Sequence, residues 1–323
     1  MTEGHLVAAL EEHVLIVFTG GTISVSPSRD SNHPALGGAQ LAGEISGFSE
    51  VPIQTVDLYR AMSESLTFPH LHKLVTFLRQ AMDQPAVRGV VVSHGTDTMD
   101  EVSYLVDLVG PWSKPIVFTG AMRHNELVSA DGPANLVNAI RVADTSASIG
   151  RGVMVVMNEE IHAARYVVKG HSTNVSSFSS PGAGLMGSVV EECVRYYWSV
   201  PPCTNSYRLP ALDSWPKVEL IRMTLGNSGL FLRACLAEQV DGVVIEGFGA
   251  GHVPEFLLPD IQKLIDAGIR VWVVPRTASG HPLYATYGTP GSEIGLQSMG
   301  VQMEEGPGHK ARIRMMLELA GKE

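Results

Sequence analysis

Apolar residues in this chain gather in short unbroken runs that stop at glycine. Val14-Leu15-Ile16-Val17-Phe18 leads into Thr19-Gly20-Gly21-Thr22, and Val90-Val91-Val92 leads into Ser93-His94-Gly95-Thr96. Further runs occupy 115–119 and 152–157. Runs that are apolar throughout, instead of alternating with polar residues, mark strands buried on both faces. Between them the spacing turns helical: Pro69–Arg79, Glu101–Leu108 and Asn135–Val142 place apolar residues three and four apart. Buried strands alternating with helices predict a parallel sheet joined by right-handed crossovers. The pattern dissolves between Tyr196 and Pro216, where Pro201, Pro202, Pro210 and Pro216 interrupt any regular element. It restarts with Val218–Leu225, Gly242–Ile245 and Ile269–Val274, and with helices near Glu255–Asp266 and His309–Leu319. The expected fold is α/β, with a larger N-terminal parallel-sheet domain (1–200), a linker (201–217) and a smaller C-terminal α/β domain (218–323).

In open α/β sheets ligands sit at the carboxyl edge of the strands. Glycine there lets backbone N–H groups come close to a bound molecule. Thr22 and Thr96 occupy near-identical positions at that edge. A threonine hydroxyl is a poor nucleophile until a neighbour accepts its proton. Asp97, next to Thr96, and Lys169, beyond the 152–157 run, are the candidate partners. The structural alternatives are a helix-capping Thr22 and a solvent-exposed Lys169. His94 either acts chemically or orients the turn, and Asp131, ahead of Gly132-Pro133, is placed to cap a helix. Ser24–Gln54 shows little periodicity and contains Pro27, Pro34, Gly37, Gly38 and Gly43. A loop of that length beside a site reads as a lid, or else as a surface excursion.

Composition narrows the function classes. With a net charge of −10 and no cluster of Lys or Arg, the chain lacks the footprint of a nucleic-acid binder. No apolar run approaches the roughly 18 residues that suggest a membrane span. Met1–Glu12 has no cationic start of a secretion signal, so the expected location is the cytoplasm. Cys193, Cys203 and Cys235 show no CxxC spacing and read as free thiols, with a Cys193–Cys203 disulfide as the alternative. The twelve histidines include no HExxH pattern, so no metal is expected. Gly247-Phe248-Gly249-Ala250-Gly251 lacks the third glycine of a dinucleotide fingerprint, and no cofactor is expected. Ser214-Trp215-Pro216-Lys217 has a proline where the SxxK motif needs a helix.

Five segments, in order, resemble the bacterial-type L-asparaginase and glutaminase-asparaginase family of threonine amidohydrolases. They are Thr19-Gly20-Gly21-Thr22-Ile23, His94-Gly95-Thr96-Asp97-Thr98-Met99, Thr119-Gly120-Ala121-Met122-Arg123, Ser129–Leu136 and Val155-Val156-Met157-Asn158. The resemblance runs from about residue 13 to 180 and continues more weakly through 241–320. It implies that Thr22 is the nucleophile and that Thr96, Asp97 and Lys169 form a second triad. It further implies that Ser63 and Glu64, with Thr96 and Asp97, hold a small amino-acid amide by its α-carboxylate and α-ammonium. The implied reaction is hydrolysis of L-asparagine through a threonine acyl-enzyme. Broader glutaminase-asparaginase activity, or an amino-acid-binding descendant of the family, is the alternative. Two segments depart from the family pattern. The lid tyrosine has no counterpart between Thr22 and Ser63 except Tyr59, and its expected position falls near Asn32 or His33. The second-domain motif that carries an asparagine toward a neighbouring subunit reads Gly249-Ala250-Gly251-His252 here. The resemblance also implies a homo-oligomer, a dimer or tetramer. His252 or Glu293 would then reach a neighbour's site, with Phe248, Phe256, Leu257 and Leu258 supplying apolar interface.

Overall fold

The first apolar run forms β1 (His13–Gly20), buried along its whole length. The computed structural model describes residues 11–21, 40, 43, 45, 50–200 and 207–321. These fall into two units, one built from 1–103, 111–180 and 185–202, the other from 104–110, 181–184 and 203–323. Thr22, Asn32, His33, Cys203 and nearly all of the 24–49 stretch lie outside the described residues.

After β1 come β2 (Ile53–Ala61), α1 (Phe68–Met82), β3 (Val87–Ser93), α2 (Met99–Leu108), β4 (Ile116–Thr119) and α3 (Gly132–Asp144). They are followed by β5 (Val153–Met157), β6 (Glu160–Ala163), β7 (Val168–Lys169), β8 (Phe178–Ser179), β9 (Gly187–Val190) and β10 (Cys193–Tyr196). Eight strands form one sheet in the order β10-β9-β6-β5-β4-β3-β1-β2, while β7 and β8 make a separate hairpin. The β2-β1-β3-β4-β5 part is parallel, as the alternation of runs and helices predicts. The remaining pairings are antiparallel. The reversal has a local cause. Asn158 and Glu159 take φ of 51° and 65°, the backbone of a two-residue hairpin turn. That turn folds β6 directly back on β5 and leaves no crossover.

Helix α3 covers one face of this sheet. Its Leu136, Val137, Ile140 and Ala143 pack with Val14 and Ile16 of β1, Val91 of β3, Val117 of β4 and Met154 and Val156 of β5. Each fully buried Leu, Ile or Val contributes about 1.5–3 kcal/mol from burial. The strand ends beside them are therefore a stiff platform.

The second unit contains β11 (Val218–Arg222), α4 (Leu230–Ala237), β12 (Gly242–Gly247), α5 (Leu258–Asp266), β13 (Arg270–Pro275), α6 (Glu293–Ser298), β14 (Gln302–Met303) and α7 (Gly308–Ala320). Its sheet is wholly parallel, in the order β11-β12-β13-β14. Val243, Ile245, Val271 and Val273 join Leu232, Ile261 and Leu264 in the core beneath α4 and α5. Trp272 points to the other face, where the Arg314 guanidinium of α7 lies 4.8 Å from its ring centroid. Tyr207, inside the proline-rich stretch, is buried and donates its hydroxyl to Glu318 at 3.1 Å. Of the apolar residues near His252, Leu257 belongs to this core and Phe256 is exposed. Among the described residues, no helix is long and apolar enough to cross a membrane.

Candidate active site

The carboxyl ends of β1, β3 and β4 meet at one edge of the large sheet, because Phe18 pairs with Ser93 and Ser93 with Thr119. Beyond those pairs the loops touch backbone to backbone. A Cβ built on Gly21 would lie 2.4 Å from the Gly95 Cα, and one built on Gly95 would lie 2.6 Å from the Ser63 side chain. Gly21 also has φ of +85°, which L side chains rarely adopt. Only glycine at both positions lets the strand end leading into Thr22, the Thr96 turn and the Ser63 segment occupy this space.

Lys169 reaches the same place from the β7–β8 hairpin, where it pairs with Phe178. Its Nζ donates to Thr96 Oγ1 at 2.8 Å and to Asp97 Oδ1 at 2.5 Å. Its backbone N–H donates to Asp100 Oδ2 at 3.1 Å, which pins the hairpin to the first turn of α2. The Lys169 side chain is 14 % exposed, against 58 % for Asp97. The lysine therefore points into the protein and the carboxylate opens outward. Ser63 is buried beside Gly95, and Glu64 next to it is exposed. The structure thus brings together Ser63, Thr96, Asp97 and Lys169, with Glu64 adjacent in the chain.

His94 sits behind this group, with Nδ1 2.8 Å from Thr19 Oγ1 and its ring edge-on to Phe118. Burial pushes its pKa down from 6.5 to about 4, so the ring is neutral at pH 7. The unfolded chain therefore takes up this proton first, and acid weakens the fold. The penalty is absent above pH 6.5, grows as pH falls toward about 4, and reaches about 3 kcal/mol. Urea denaturation at pH 7 and near pH 4.5 is expected to show most of that loss in the wild type, with a His94→Gln variant lacking this component.

Two family-model matches decide the family. Residues 13–202 match the family model Asparaginase, N-terminal, and residues 217–323 match the Glutaminase/Asparaginase C-terminal domain. The chain belongs to the asparaginase family. It is 32 % identical to an L-asparaginase of Bacillus licheniformis, over 96 % of each chain. It is also 32 % identical to a glutaminase-asparaginase of Acinetobacter glutaminasificans, over 84 % of this chain and 86 % of that one. A solved Campylobacter jejuni structure, described as a probable cytoplasmic L-asparaginase, superposes with a TM-score of 0.86 at 28 % identity, covering 96 % of each chain.

This asparaginase-family chain departs from its sequence-based reading at Asp131. Asp131 does not cap α3 with its side chain. Its carboxylate accepts from the N–H groups of Met122 and Arg123, at 3.0 and 2.8 Å. Pro133 in the first turn of α3 has no N–H to offer, and the loop after β4 has two. Asn135 extends this brace, donating to Gly120 O at 3.0 Å and accepting from the Asn158 N–H at 2.9 Å. His252, the residue proposed to reach a neighbouring subunit, has its Nε2 3.5 Å from Glu293 Oε2 in its own chain, with its side chain 38 % exposed. Glu293 is fully buried and accepts from the Thr286 and Tyr287 N–H groups at 2.7 and 2.5 Å. Three groups that residue patterns did not single out complete the site's frame. They are Thr19, Thr98 and Asp100, hydrogen-bonded respectively to His94, the Ser63 carbonyl and the Lys169 N–H.

Proposed function

We propose that this chain hydrolyses L-asparagine to L-aspartate and ammonia through an ester formed on Thr22. The observation that carries the reading is Lys169 Nζ held between Thr96 Oγ1 and Asp97 Oδ1, at the edge where Gly21 leads directly into Thr22. Thr22 Oγ attacks the side-chain amide carbon and its proton passes to the departing nitrogen. The C–N bond then breaks and ammonia leaves. Water adds to the resulting ester, its proton moving through Thr96 toward Lys169, and aspartate is released as Thr22 regains a proton. A lysine ammonium has no lone pair, so Lys169 can accept only after giving a proton to Asp97. Backbone N–H groups of the Thr96 turn stabilise the oxyanion, at about 2.7–4 kcal/mol per donor.

Ser63 donates to the substrate α-carboxylate, while Glu64 and Asp97 meet the α-ammonium through charge-assisted hydrogen bonds. The similarity to a relative named glutaminase-asparaginase supports glutamine as a second, longer substrate. A pure amino-acid binder would have no need of a lysine shared between a hydroxyl and a carboxylate. By the same reading the protein is a cytoplasmic homo-oligomer. The test is ammonia release from L-asparagine, L-glutamine and D-asparagine by the wild type and Thr22→Ala. L-Asparagine is expected to be the fastest of the three, with Thr22→Ala below about a tenth of the wild-type rate, a barrier change of at least ~1.4 kcal/mol. Retention of more than that by Thr22→Ala would remove the nucleophile assignment. Absence of ammonia from all three amides would remove the activity.

A further inference from the structure

His94 touches none of the reacting groups proposed above, yet it joins three segments that position them. Its ring is buried at the end of β3, with Nδ1 2.8 Å from Thr19 Oγ1 and Nε2 3.4 Å from Thr98 Oγ1. Both threonines also face backbone carbonyls: Thr19 donates to Ser93 O at 2.9 Å, and Thr98 to Ser63 O at 3.1 Å. A hydroxyl has one proton and a carbonyl can only accept. The two Thr19 contacts, at 2.8 and 2.9 Å, are shorter than the two of Thr98, at 3.4 and 3.1 Å, and both are satisfied at once when Thr19 donates to Ser93 O and accepts from a proton on Nδ1. Burial keeps the ring neutral, so Nε2 retains its lone pair. That lone pair meets the Thr98 hydroxyl, whose single proton is shared between Nε2 and the Ser63 carbonyl.

We propose that His94 is a positioning residue for amide hydrolysis. Locked in the Nδ1–H tautomer, it ties the strand end leading into Thr22 to the turn bearing Thr96 and, through Thr98, to the Ser63 segment. The inference rests on the reaction proposed above. Its physical need follows from the glycines. Gly20, Gly21 and Gly95 let the loops approach closely but offer no side chain to hold their relative position. A rigid ring with hydrogen-bonding atoms on two sides supplies that hold. A displacement of about 1 Å between nucleophile and relay costs on the order of a hundredfold in rate. Substrate binding depends less on that spacing.

Three variants separate the two links. His94→Asn keeps an amide donor where Nδ1 stands and so keeps the Thr19 link alone. His94→Gln reaches the place of Nε2 and keeps the Thr98 link alone. His94→Leu keeps apolar volume and neither link. For His94→Leu, kcat on L-asparagine is expected to fall about a hundredfold with KM within about threefold of wild type. The Asn variant is expected to recover to within about tenfold of wild type. Nitrogen-15 NMR of the histidine-labelled full chain reads the tautomer directly, with no variant needed. Nδ1 should be protonated and Nε2 unprotonated from about pH 8 to about pH 5. An Nε2–H tautomer, an imidazolium within that range, Asn no better than Leu, or a loss confined to KM would each overturn the proposal. If the wild type released no ammonia, the reaction itself would fall, and the NMR result would still show whether the His94 geometry is right.

Discussion

Lys169→Met is expected to lower kcat for ammonia release by about 10²–10⁴-fold while KM changes little. Methionine keeps the length and apolar stem of the side chain but removes the group 2.8 Å from Thr96 Oγ1 and 2.5 Å from Asp97 Oδ1. The proposed proton path from Thr96 to Asp97 is then cut. Folding is expected to survive. Asp97 is 58 % exposed, so water solvates its carboxylate once the lysine is gone, and ion pairs open to solvent add little stability. Steady-state kinetics paired with a urea midpoint separate the two effects. A variant with wild-type stability and a rate within about threefold of wild type would show that Lys169 is only a structural cation, since a working acid–base group is worth far more.

Gly21→Ala is expected to be nearly as damaging, although Gly21 has no side chain and takes no part in the chemistry. The added Cβ would stand 2.4 Å from the Gly95 Cα and 2.6 Å from its N, at a backbone φ of +85°. Backbone atoms cannot rotate out of the way as a side chain can, so the two loops must separate by about 1 Å. We expect a kcat loss on the order of a hundredfold and a stability loss of about 1–3 kcal/mol. Gly268→Ala is the control, because Gly268 has φ of +80° with nothing within 4 Å of a built Cβ. It should cost stability through the same backbone strain and leave kcat unchanged. Equal kinetic effects in the two variants would show that strain, not loop spacing, sets the rate.

The residues differ in how plainly the sequence announces them. Thr96 and Asp97 are adjacent at the end of an unbroken Val-rich run, so β3 and its turn are legible from apolar periodicity alone. Lys169 is not. It lies 72 residues beyond Asp97 and arrives on a two-residue strand too short to have a period, so the chain offers it only as a candidate beyond the 152–157 run, and the family resemblance gives it its role. The edge strand β2 escapes for a different reason. Ile53–Ala61 is mostly half-buried or exposed, and its Gln, Thr, Asp and Arg dilute the apolar signal that identifies β1. The antiparallel end of the large sheet depends on positive φ at Asn158 and Glu159, a pair that lacks the glycine of the usual Asn-Gly turn. Helix α7, by contrast, is legible to within one residue at each end. The side-chain directions of Asp131 and His252 depend on which donors or carboxylates lie nearby in space, which spacing along the chain does not encode.

The acyl-enzyme is tested most directly by partitioning. With hydroxylamine present at fixed concentration, an aspartyl ester on the protein divides between water and hydroxylamine. The ratio is set by the intermediate alone, because ammonia or another leaving group has already departed. Wild-type protein supplied with L-asparagine, and separately with the β-methyl ester of L-aspartate, is predicted to give the same ratio of aspartyl hydroxamate to aspartate. Ratios that differ between the two substrates, or steady hydrolysis with no hydroxamate from either, would mean that water attacks the bound amide directly.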